Sequence, residues 1–517
     1  MILKAWLMLL VVWLVAAQTV SGQYLSGISS SNYAGTNALY QNPAQAADSR
    51  FKVYVNLATV DAYLNNSFLS WNAPFSFLSF ATNTIPNQYR NERGQVRWSK
   101  SYLQERLNGR LKQLTTGADL RGPSLLINLN EEWGLGLTTR VRSGVSFRKT
   151  SEEFARVLHY SPQVAQLLNQ GSTSQQGYVN GNAYAELAAT LGKVLVDNGE
   201  DFWKAGVTLK RVVGLYNAHI HVDEATHTLI RDPQRRGFTA LDFPTIRGAV
   251  GYTSQEAFEN ASPSPGWLLG NQSAGGGWGL DLGIVYEYRP NARRYRYRDR
   301  TGNHSDGSVN KYKYRISAAL LDFGAIRYKN PAYVNQYEVD VRNRRLTQGY
   351  FNNIKSSDEA GERLVNFTGV PESARGTNYR AGLPTALNLS IDYQATNRLY
   401  VSGLWTHSLA GVRSKAMQTP SMVGVVPRWE SRWLEVSMPV LLQSNYSMLT
   451  VGLAARLGPV FVGTDHLGGL INLGNPRGVS VYAGAGIPLY RKAPGDPNPC
   501  WDPNGKKSFW NIFRRKN

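Results

Sequence analysis

The chain begins with a secretory signal and contains no later segment that is apolar for long enough to form a membrane-spanning helix. Residues 1–4 give a short positive start, residues 5–17 an apolar run, and Val20-Ser21-Gly22 a small-residue cleavage site. We predict a signal peptide over residues 1–22, which leaves Gln23 as the first residue of the mature protein. After this signal no run of about 18 apolar residues occurs. Any insertion into a membrane would therefore have to use β-strands.

The composition favours one long domain with a tail over several globular domains. The 517 residues contain no Pro/Ser-rich linker, and β-barrels routinely exceed the size of an ordinary domain. Forty-nine glycines and an aromatic fraction of 11% are proportions typical of a barrel.

The cysteine count and the charge exclude some classes of function. Cys500 is the single cysteine, which excludes an internal disulfide framework and a cysteine-rich metal site. It is either inert or available for an intermolecular disulfide or a modification. The net charge of +20 comes from scattered Arg and Lys, as in residues 293–298. In an exported protein we expect no nucleic-acid partner; a cationic loop or lumen facing anionic headgroups or an acidic solute, or simple solvation of a loop, explains the charge.

Period-two segments recur along the chain. Residues 133–141 alternate bulky side chains with small or polar ones, and residues 279–288 place Leu280, Leu282 and Ile284 on one face with Tyr286 and Tyr288. This alternation is typical of a strand with lipid on one side and water or a plug on the other. A soluble β-sandwich has the same alternation.

The lengths of the connections favour a barrel over a sandwich. Short polar hairpins are predicted at residues 197–201 and 395–398. Long polar stretches lie between such hairpins, and short turns at one rim with long loops at the other are the layout of an outer-membrane barrel. The long stretches are residues 65–120, 224–276 and 330–382. Residues 290–310 fit this alternation poorly.

Two loop segments and the C-terminal region give further expectations. Leucines at helical spacing predict a helix over residues 98–114, and a capping box at residues 150–153 predicts one over residues 154–168. Both are expected on the long-loop rim, packed on the barrel mouth or gripping a ligand or partner. Residues 478–490 read as the closing strand, with Pro488 near its end.

The segment Asn37-Ala38-Leu39-Tyr40-Gln41-Asn42-Pro43-Ala44, with Ala47-Asp48-Ser49-Arg50 and then a strand, resembles the opening of FadL-like and PorV-like outer-membrane barrels. Further matches lie at residues 203–210, 320–324 and 456–465. Together they resemble an uncharacterised barrel family of bacteria that use type IX secretion. The resemblance covers nearly all of the mature chain, and its motifs identify a fold far better than a cargo.

This resemblance implies an all-β fold, a transmembrane antiparallel barrel of about 14 strands with some helices in its long loops. It implies an N-terminal hatch over residues 23–50, a barrel over residues 51–490 and a basic periplasmic tail over residues 491–517. The hatch motif consists of Asn42, Pro43, Ala44 and Asp48. Asn42 precedes a proline and is therefore disfavoured in the helical region, so a rigid corner is expected where the plug meets the wall. The chain continues past the closing strand, so any assembly signal must be internal.

The sequence contains none of the usual catalytic signatures, and we predict that the protein is not an enzyme and needs no cofactor. His219, His221 and Asp223 would share one face of a strand, which makes them a weak candidate for a metal site; a polar face near the rim is the favoured interpretation. Candidate lumen-lining residues either bias charge selectivity or pair with one another and hold the plug. They are Arg140, Arg142, Lys210, Asp281 and Glu287.

By analogy with FadL, the leading hypothesis is a channel in the outer membrane of a Gram-negative cell that passes a small hydrophobic solute through a hatch-gated lumen. The alternatives are a PorV-like scaffold or shuttle for secreted proteins, with a secretion-system partner, and a purely structural membrane protein. Outer-membrane lipid and lipopolysaccharide are expected contacts in each case. A continuous apolar pocket would favour transport, whereas a packed lumen with an apolar outer rim would favour the scaffold.

Overall fold

The computed structural model describes residues 25–160, 165–259, 261, 264–268, 273–299, 302–411 and 413–491. The predicted signal peptide, and the predicted tail beyond residue 491 with Cys500, lie outside the described residues.

The fold is a closed antiparallel β-barrel of 14 strands. The barrel closes because the first strand pairs with the last, with Asp61 opposite Tyr482 and Asn65 opposite Gly478. Several barrel strands consist of two consecutive segments, which are numbered separately below.

The strands of the first half of the chain are β1 (Phe51–Asn66), β2 (Leu69–Trp71), β3 (Leu103–Glu105), β4 (Lys112–Arg121), β5 (Ser124–Asn128), β6 (Trp133–Thr150), β7 (Gly171–Asp197), β8 (Asp201–Arg231), β9 (Thr239–Thr253), β10 (Gly275–Tyr288), β11 (Arg296–Asp299) and β12 (Gly302–Ser305). The strands of the second half are β13 (Tyr314–Tyr328), β14 (Val334–Thr347), β15 (Tyr379–Gly382), β16 (Ala386–Gln394), β17 (Leu399–Ser408), β18 (Met422–Glu430), β19 (Leu434–Ser437), β20 (Val440–Gln443), β21 (Met448–Val451), β22 (Leu453–Leu457), β23 (Val460–Thr464) and β24 (Gly478–Tyr490).

The helices are short and lie in the hatch and the loops. They are α1 (Ser26–Ser29), α2 (Phe77–Ala81), α3 (Glu152–Tyr160), α4 (Glu256–Glu259), α5 (Pro265–Leu268), α6 (Ser357–Thr368) and α7 (Leu467–Ile471). In the described part of the chain, no helix has the length and apolar character needed to cross a membrane.

The outer surface carries an apolar belt. Its exposed side chains come from strands all around the barrel, and they include Leu57, Leu137, Leu187, Leu191, Val207, Leu209, Leu282, Ile284, Ile316, Leu389, Ile391, Val425, Val436, Leu453, Val462, Val481 and Ile487. Aromatic side chains border the belt near the short turns, among them Trp133, Trp203, Tyr286, Tyr314, Tyr393 and Trp429. An apolar belt with an aromatic border is typical of a lipid-facing barrel, and the predicted transmembrane barrel is confirmed.

The rims differ as predicted. The turn rim, which carries the short hairpins, has β7 ending at Asp197 and β8 beginning at Asp201, and β16 ending at Gln394 before β17 begins at Leu399. The opposite rim carries the long connections and is called the loop rim. Residues 290–310, which fitted the alternation poorly, form an extended turn-rim connection that contains the β11–β12 hairpin.

All three predicted long loops contain strands, which corrects the sequence prediction: residues 65–120 include β2, β3 and most of the barrel strand β4. Residues 224–276 include the end of β8 and all of β9, and residues 330–382 include β14. The upper part of β8 pairs with β9, and β9 pairs with β14, so these strands extend the barrel wall at the loop rim. They were missed because charged side chains interrupt their alternation, as at Asp340 and Arg342.

One predicted helix is wrong and the other is confirmed in part. Residues 98–114 contain β3 and the start of β4 with a single helical turn between Lys100 and Tyr102, because Leu103–Glu105 pairs with β2 and Gly109, with a positive φ of 69°, lies in the turn that precedes β4. The capping box does begin α3, since the Phe154 amide donates to Ser151 Oγ at 3.1 Å, but α3 ends at Tyr160. The predicted closing strand is β24.

Candidate functional site

The hatch lies inside the barrel, and its described part, residues 25–50, is mostly buried. It consists of α1 and two helical turns, Gly35–Tyr40 and Pro43–Ala46. The polar side chains Ser26, Thr36, Asn37 and Asn42 are all nearly inaccessible to solvent. Because buried polar groups need partners, the contacts of the hatch with the wall define the candidate site.

Asn42 forms the corner between the hatch and the wall. Its backbone is extended, with φ of −158°, and its side chain accepts a hydrogen bond from the Ala44 amide at 2.9 Å, which caps the turn that starts at Pro43. Its Nδ2 donates to the carbonyl oxygens of Ile284 at 3.1 Å and Ala318 at 3.0 Å. These two residues face each other on β10 and β13. The motif predicted from the sequence thus clamps two neighbouring strands.

A row of four glycines on the barrel wall contacts the backbone of hatch residues 42–47. Gly134, Gly192, Gly206 and Gly283 are neighbours in register across β6, β7, β8 and β10. A Cβ added at Gly192 would lie 2.7 Å from the Ala47 amide nitrogen, and one at Gly134, Gly206 or Gly283 would overlap Ala46, Pro43 or Asn42. This glycine track lets the hatch backbone rest directly on the wall.

Asp48 ties the end of the hatch to the turn rim. It takes a positive φ of 51°, and its carboxylate lies 2.6 Å from Arg289 Nη2, 3.7 Å from Lys311 Nζ and 3.8 Å from Arg491 Nη1. Burial would raise the pKa of the Asp48 carboxyl, but the charges of Lys311, Arg289 and Arg491 together lower this pKa below its ordinary value. Asp48 is therefore ionised and held by cations at neutral pH.

The first part of the hatch is held by side chains of the last strands. The Ser26 amide donates to Asp465 Oδ2 at 3.1 Å, and Ser437 Oγ donates to the Gly27 carbonyl at 2.6 Å. Ser31 Oγ donates to Glu435 Oε2 at 2.7 Å, within a buried group in which Arg456 also contacts Glu435. This end of the hatch is thus anchored by polar side chains instead of by a glycine surface.

A second segment folds into the lumen from the loop rim. It is the connection between β17 and β18, and its residues 413–421 are called the inward loop. The Ser414 carbonyl accepts hydrogen bonds from Arg148 Nη2 at 2.9 Å and Asn180 Nδ2 at 3.1 Å. Met417 is buried in an apolar cluster inside the barrel that includes Tyr184, Tyr328, Tyr379 and Leu383.

The hatch and the inward loop enclose a small chamber. Its volume is about 40 Å³, room for only a few water molecules. The hatch contributes Asn37 and Tyr40 to its lining, and the inward loop contributes the residues from Met417 to Pro420. The barrel wall adds three arginines, Arg121, Arg140 and Arg142. The lumen is therefore occupied from both rims, with a polar chamber between the two segments.

The structure places all five candidate lumen-lining residues inside the barrel, each buried and ion-paired. Arg140 contacts Asp119 at 2.5 Å, Arg142 contacts Asp322 at 2.8 Å, and Lys210 bridges Asp281 at 2.8 Å and Asp322 at 2.5 Å. Glu287 pairs with Arg289 and lies 3.9 Å from Lys204. Lys210 and Asp281 thus pair with each other, whereas Arg140, Arg142 and Glu287 pair with other residues of the barrel wall and turn rim.

The three side chains of the weak metal candidate, His219, His221 and Asp223, each contact a different partner. His219 Nε2 lies 2.9 Å from Gln336 Oε1, and His221 Nε2 lies 2.8 Å from Asn180 Oδ1. Asp223 pairs with Arg413 at 3.3 Å. Across the described ranges, no three His, Cys, Asp or Glu side chains come together in a way that could hold a metal ion.

Sequence reasoning missed the glycine track and the inward loop. The four glycines lie within predicted strands, and a glycine inside a strand signals a close backbone approach; only the register of the strands shows that the four are neighbours. The inward loop has the polar composition of a surface loop, with Pro420 and two serines, and Met417 is its one large apolar side chain.

The chain has distant structural likenesses and a clear family match. The toluene transporter TodX of P. putida is 9% identical over 89% of this chain and 95% of its own, with a TM-score of 0.37. A FadL homologue of Pseudomonas aeruginosa is 8% identical over 91% of this chain and 99% of its own, with a TM-score of 0.32. The translocator domain of the autotransporter NalP of Neisseria meningitidis is 8% identical over 84% and 89%, with a TM-score of 0.28. These likenesses are too distant to bear on function.

No curated protein matches the sequence. The model of the family described as "Family of unknown function (DUF5723)" matches residues 43–465, which is most of the chain. The match begins at Pro43 of the hatch corner and ends at Asp465, which binds the first part of the hatch. The protein belongs to the DUF5723 family.

Proposed function

We propose that the protein is an outer-membrane channel that passes a small hydrophobic solute through a lumen gated by the hatch and the inward loop. The apolar belt supports insertion in a membrane, and the predicted signal peptide supports export. The turn rim, where the hatch joins β1, would face the periplasm, and the loop rim would face the outside.

The position of Met417 is the observation that carries this proposal. Its side chain fills an apolar cluster inside the barrel, where Tyr184 Oη lies 4.0 Å from its sulfur and Gly144 leaves it room. A flexible thioether adapts to irregular apolar space. A small apolar solute that displaced Met417 would enter surroundings already stripped of water. We infer that Met417 occupies the place where the solute binds.

The hatch closes the other end of the path. A solute leaving the Met417 site toward the periplasm meets the chamber with its three arginines and then the hatch. Since the chamber holds only a few waters, passage requires that hatch residues move away from the glycine track. The lumen is closed in this conformation, and the proposed channel therefore opens only when both segments shift.

Removal of the Met417 side chain tests the binding place. Naphthalene serves as a neutral apolar probe, added to the purified mature protein in detergent. Met417→Ala is expected to raise naphthalene affinity several-fold, because the competing side chain is shortened. Met422→Ala is the matched control: Met422 is also buried but lies outside the apolar cluster, and its substitution should leave the affinity unchanged. Equal affinity in all three proteins would contradict the proposal.

A scaffold that presents secreted proteins, as PorV-like barrels do, is the second candidate function. The observation that favours it is the packed lumen, which the hatch and the inward loop fill from both rims and which leaves a chamber of only about 40 Å³ between them. Mass spectrometry of the purified protein separates the two candidates. A co-purifying lipophilic molecule supports the channel, whereas a stoichiometric protein partner with no lipophilic ligand supports the scaffold. A type IX secretion component among the partners would extend the scaffold proposal to that system.

A further inference from the structure

A second cavity lies at the turn rim, between the hatch and the connection from β10 to β13. Its volume is about 50 Å³. Hatch residues from Ser31 to Arg50, with Phe51 at the start of β1, form one side, and residues from Gly307 to Arg315 form the other. This cavity is separate from the chamber beside Met417, and the proposed channel function assigns no ligand to it.

The charges around this cavity are unbalanced. Five cationic side chains line it, but only two carboxylates do. The cations are Arg50, Lys204, Arg289, Lys311 and Arg315, and the carboxylates are Asp48 and Glu287. Lys204, Arg289 and Lys311 are almost fully buried. Since buried charges are costly unless they are paired, this surplus of positive charge is the feature that needs an explanation.

The nearby contacts do not remove the surplus. Asp48 and Glu287 both pair with Arg289, so these carboxylates are already shared. Lys204 Nζ lies 3.9 Å from Glu287 and donates to two neutral acceptors, Gln45 Oε1 at 3.1 Å and the Ala47 carbonyl at 2.9 Å. Lys311 Nζ donates to Ser305 Oγ at 2.9 Å and lies 3.7 Å from Asp48.

The two remaining cations lie on opposite sides of the cavity. Arg315 pairs with Asp392 at 3.2 Å, outside the cavity lining, and donates to Asn32 Oδ1 at 3.2 Å. Arg50 Nη1 donates to the neutral Tyr33 hydroxyl at 2.7 Å. Guanidinium and ammonium groups that converge on one small space are the donors that bind phosphate groups.

We propose that this cavity binds a free phosphate-class oxoanion at the periplasmic mouth, between the hatch and the turn rim. The anion would balance the surplus charge of Lys204, Lys311 and Arg50. The cavity lies between the hatch and the connection from β10 to β13, inside the barrel and away from the lipid-facing belt, which favours a free ion over the headgroup of a membrane lipid. Because the anion contacts both the hatch and the rim, its binding stabilises the seated hatch.

Isothermal titration calorimetry tests the proposal. Inorganic phosphate is titrated into the purified mature protein in a phosphate-free buffer. Saturable binding of one phosphate per chain is expected for the wild-type protein. Lys311→Met should weaken the affinity at least about tenfold, since it removes a full charge within a few ångströms of the ion. Lys311→Arg keeps the charge and should retain most of the affinity.

Lys313→Met is the matched control. Lys313 is two residues away, but its Nζ donates to the Gln394 carbonyl at 2.7 Å and it does not line the cavity. Its substitution should leave phosphate affinity unchanged. Absence of saturable binding to the wild-type protein, or equal affinities in Lys311→Met and Lys313→Met, would overturn the proposal. Competition by solubilised phosphatidylglycerol would overturn the assignment to a free ion. Neither result depends on whether naphthalene binds beside Met417.

Discussion

The two ends of the hatch are held in different ways. Residues 42–47 rest with their backbone on the glycine track, so shape complementarity with Gly192 and Gly206 decides the fit. Residues 26–32 are held by hydrogen bonds to side chains of the last strands, such as Asp465 and Glu435. The contact of residues 42–47 with the glycine track leaves no room for an added atom. Residues 26–32 can lose one hydrogen bond and keep the others. We therefore expect steric changes at the track to release the hatch and polar changes at the other end to loosen it.

The largest effect is expected for Gly192→Val. Its side chain would overlap Ala46 and Ala47 and lower the free energy of hatch opening by about 3 kcal/mol, in the range of overpacked cores. Hydrogen exchange of hatch peptides should then speed up more than a hundredfold. Gly177→Val is the control, because a Cβ at Gly177 meets nothing within 4 Å. Similar hatch exchange in the two variants would contradict the role of the track.

Asp48→Asn should have the next largest effect. It should lower the free energy of hatch opening by about 2 kcal/mol, because Arg289 loses a charged hydrogen-bond partner. Since the folded state lowers the pKa of Asp48, its stabilising contribution is fully present above about pH 4, the ordinary range of a carboxyl group, and declines as the pH falls below it. Hatch opening, corrected for intrinsic exchange rates, should rise on acidification in the wild type and less steeply in Asp48→Asn. If hatch opening in the wild type and in Asp48→Asn depended on pH in the same way, Asp48 would not hold the hatch through its charge.

Asn42→Ala should lower the free energy of hatch opening by about 1.5 kcal/mol, because the cap of the Pro43 turn and the hydrogen bonds to the Ile284 and Ala318 carbonyls are lost. Asn42 adds a polar anchor to the end of the hatch that rests on glycines. Hydrogen exchange of β10 and β13 should increase along with that of the hatch. Asn388→Ala is a suitable control, since Asn388 donates only a long 3.4 Å bond to the Gln41 carbonyl; an equal effect of both changes would contradict the clamp.

Ser437→Ala is expected to have the smallest effect, about 1 kcal/mol, from the loss of one neutral hydrogen bond to the Gly27 carbonyl. Exchange should accelerate only in the peptide that contains α1, while residues 42–47 keep their protection. Release of the whole hatch by this single change would show that the two ends are not held independently.

The sequence was sufficient for the barrel and for the hatch corner. Alternation in residues 279–288 and the short hairpins follow from local spacing, and Pro43 restricts Asn42 through sterics that need no tertiary context. The long-range features could not be read in the same way. The glycine track depends on the register of four strands, and the leucines of residues 98–114 fit a helix and a strand equally until the turn at Gly109 is known.

The strands β9 and β14 show a further limit. Their exposed face carries charged residues, such as Arg247 and Asp340, which lie opposite each other and form an ion pair at 3.5 Å, because this part of the wall extends beyond the apolar belt. Hydrophobic alternation is then too weak to mark a strand. Similarly, nothing local indicates that Met417 points into the lumen instead of toward solvent.

Hydrogen exchange of the mature protein in lipid nanodiscs tests the central claim most directly. If the hatch is seated on the glycine track, hatch residues 42–47 are protected to nearly the same degree as the strands that carry the track. Exchange of these residues at the rate of an unstructured peptide, with the barrel strands still protected, would contradict a lumen closed by the hatch.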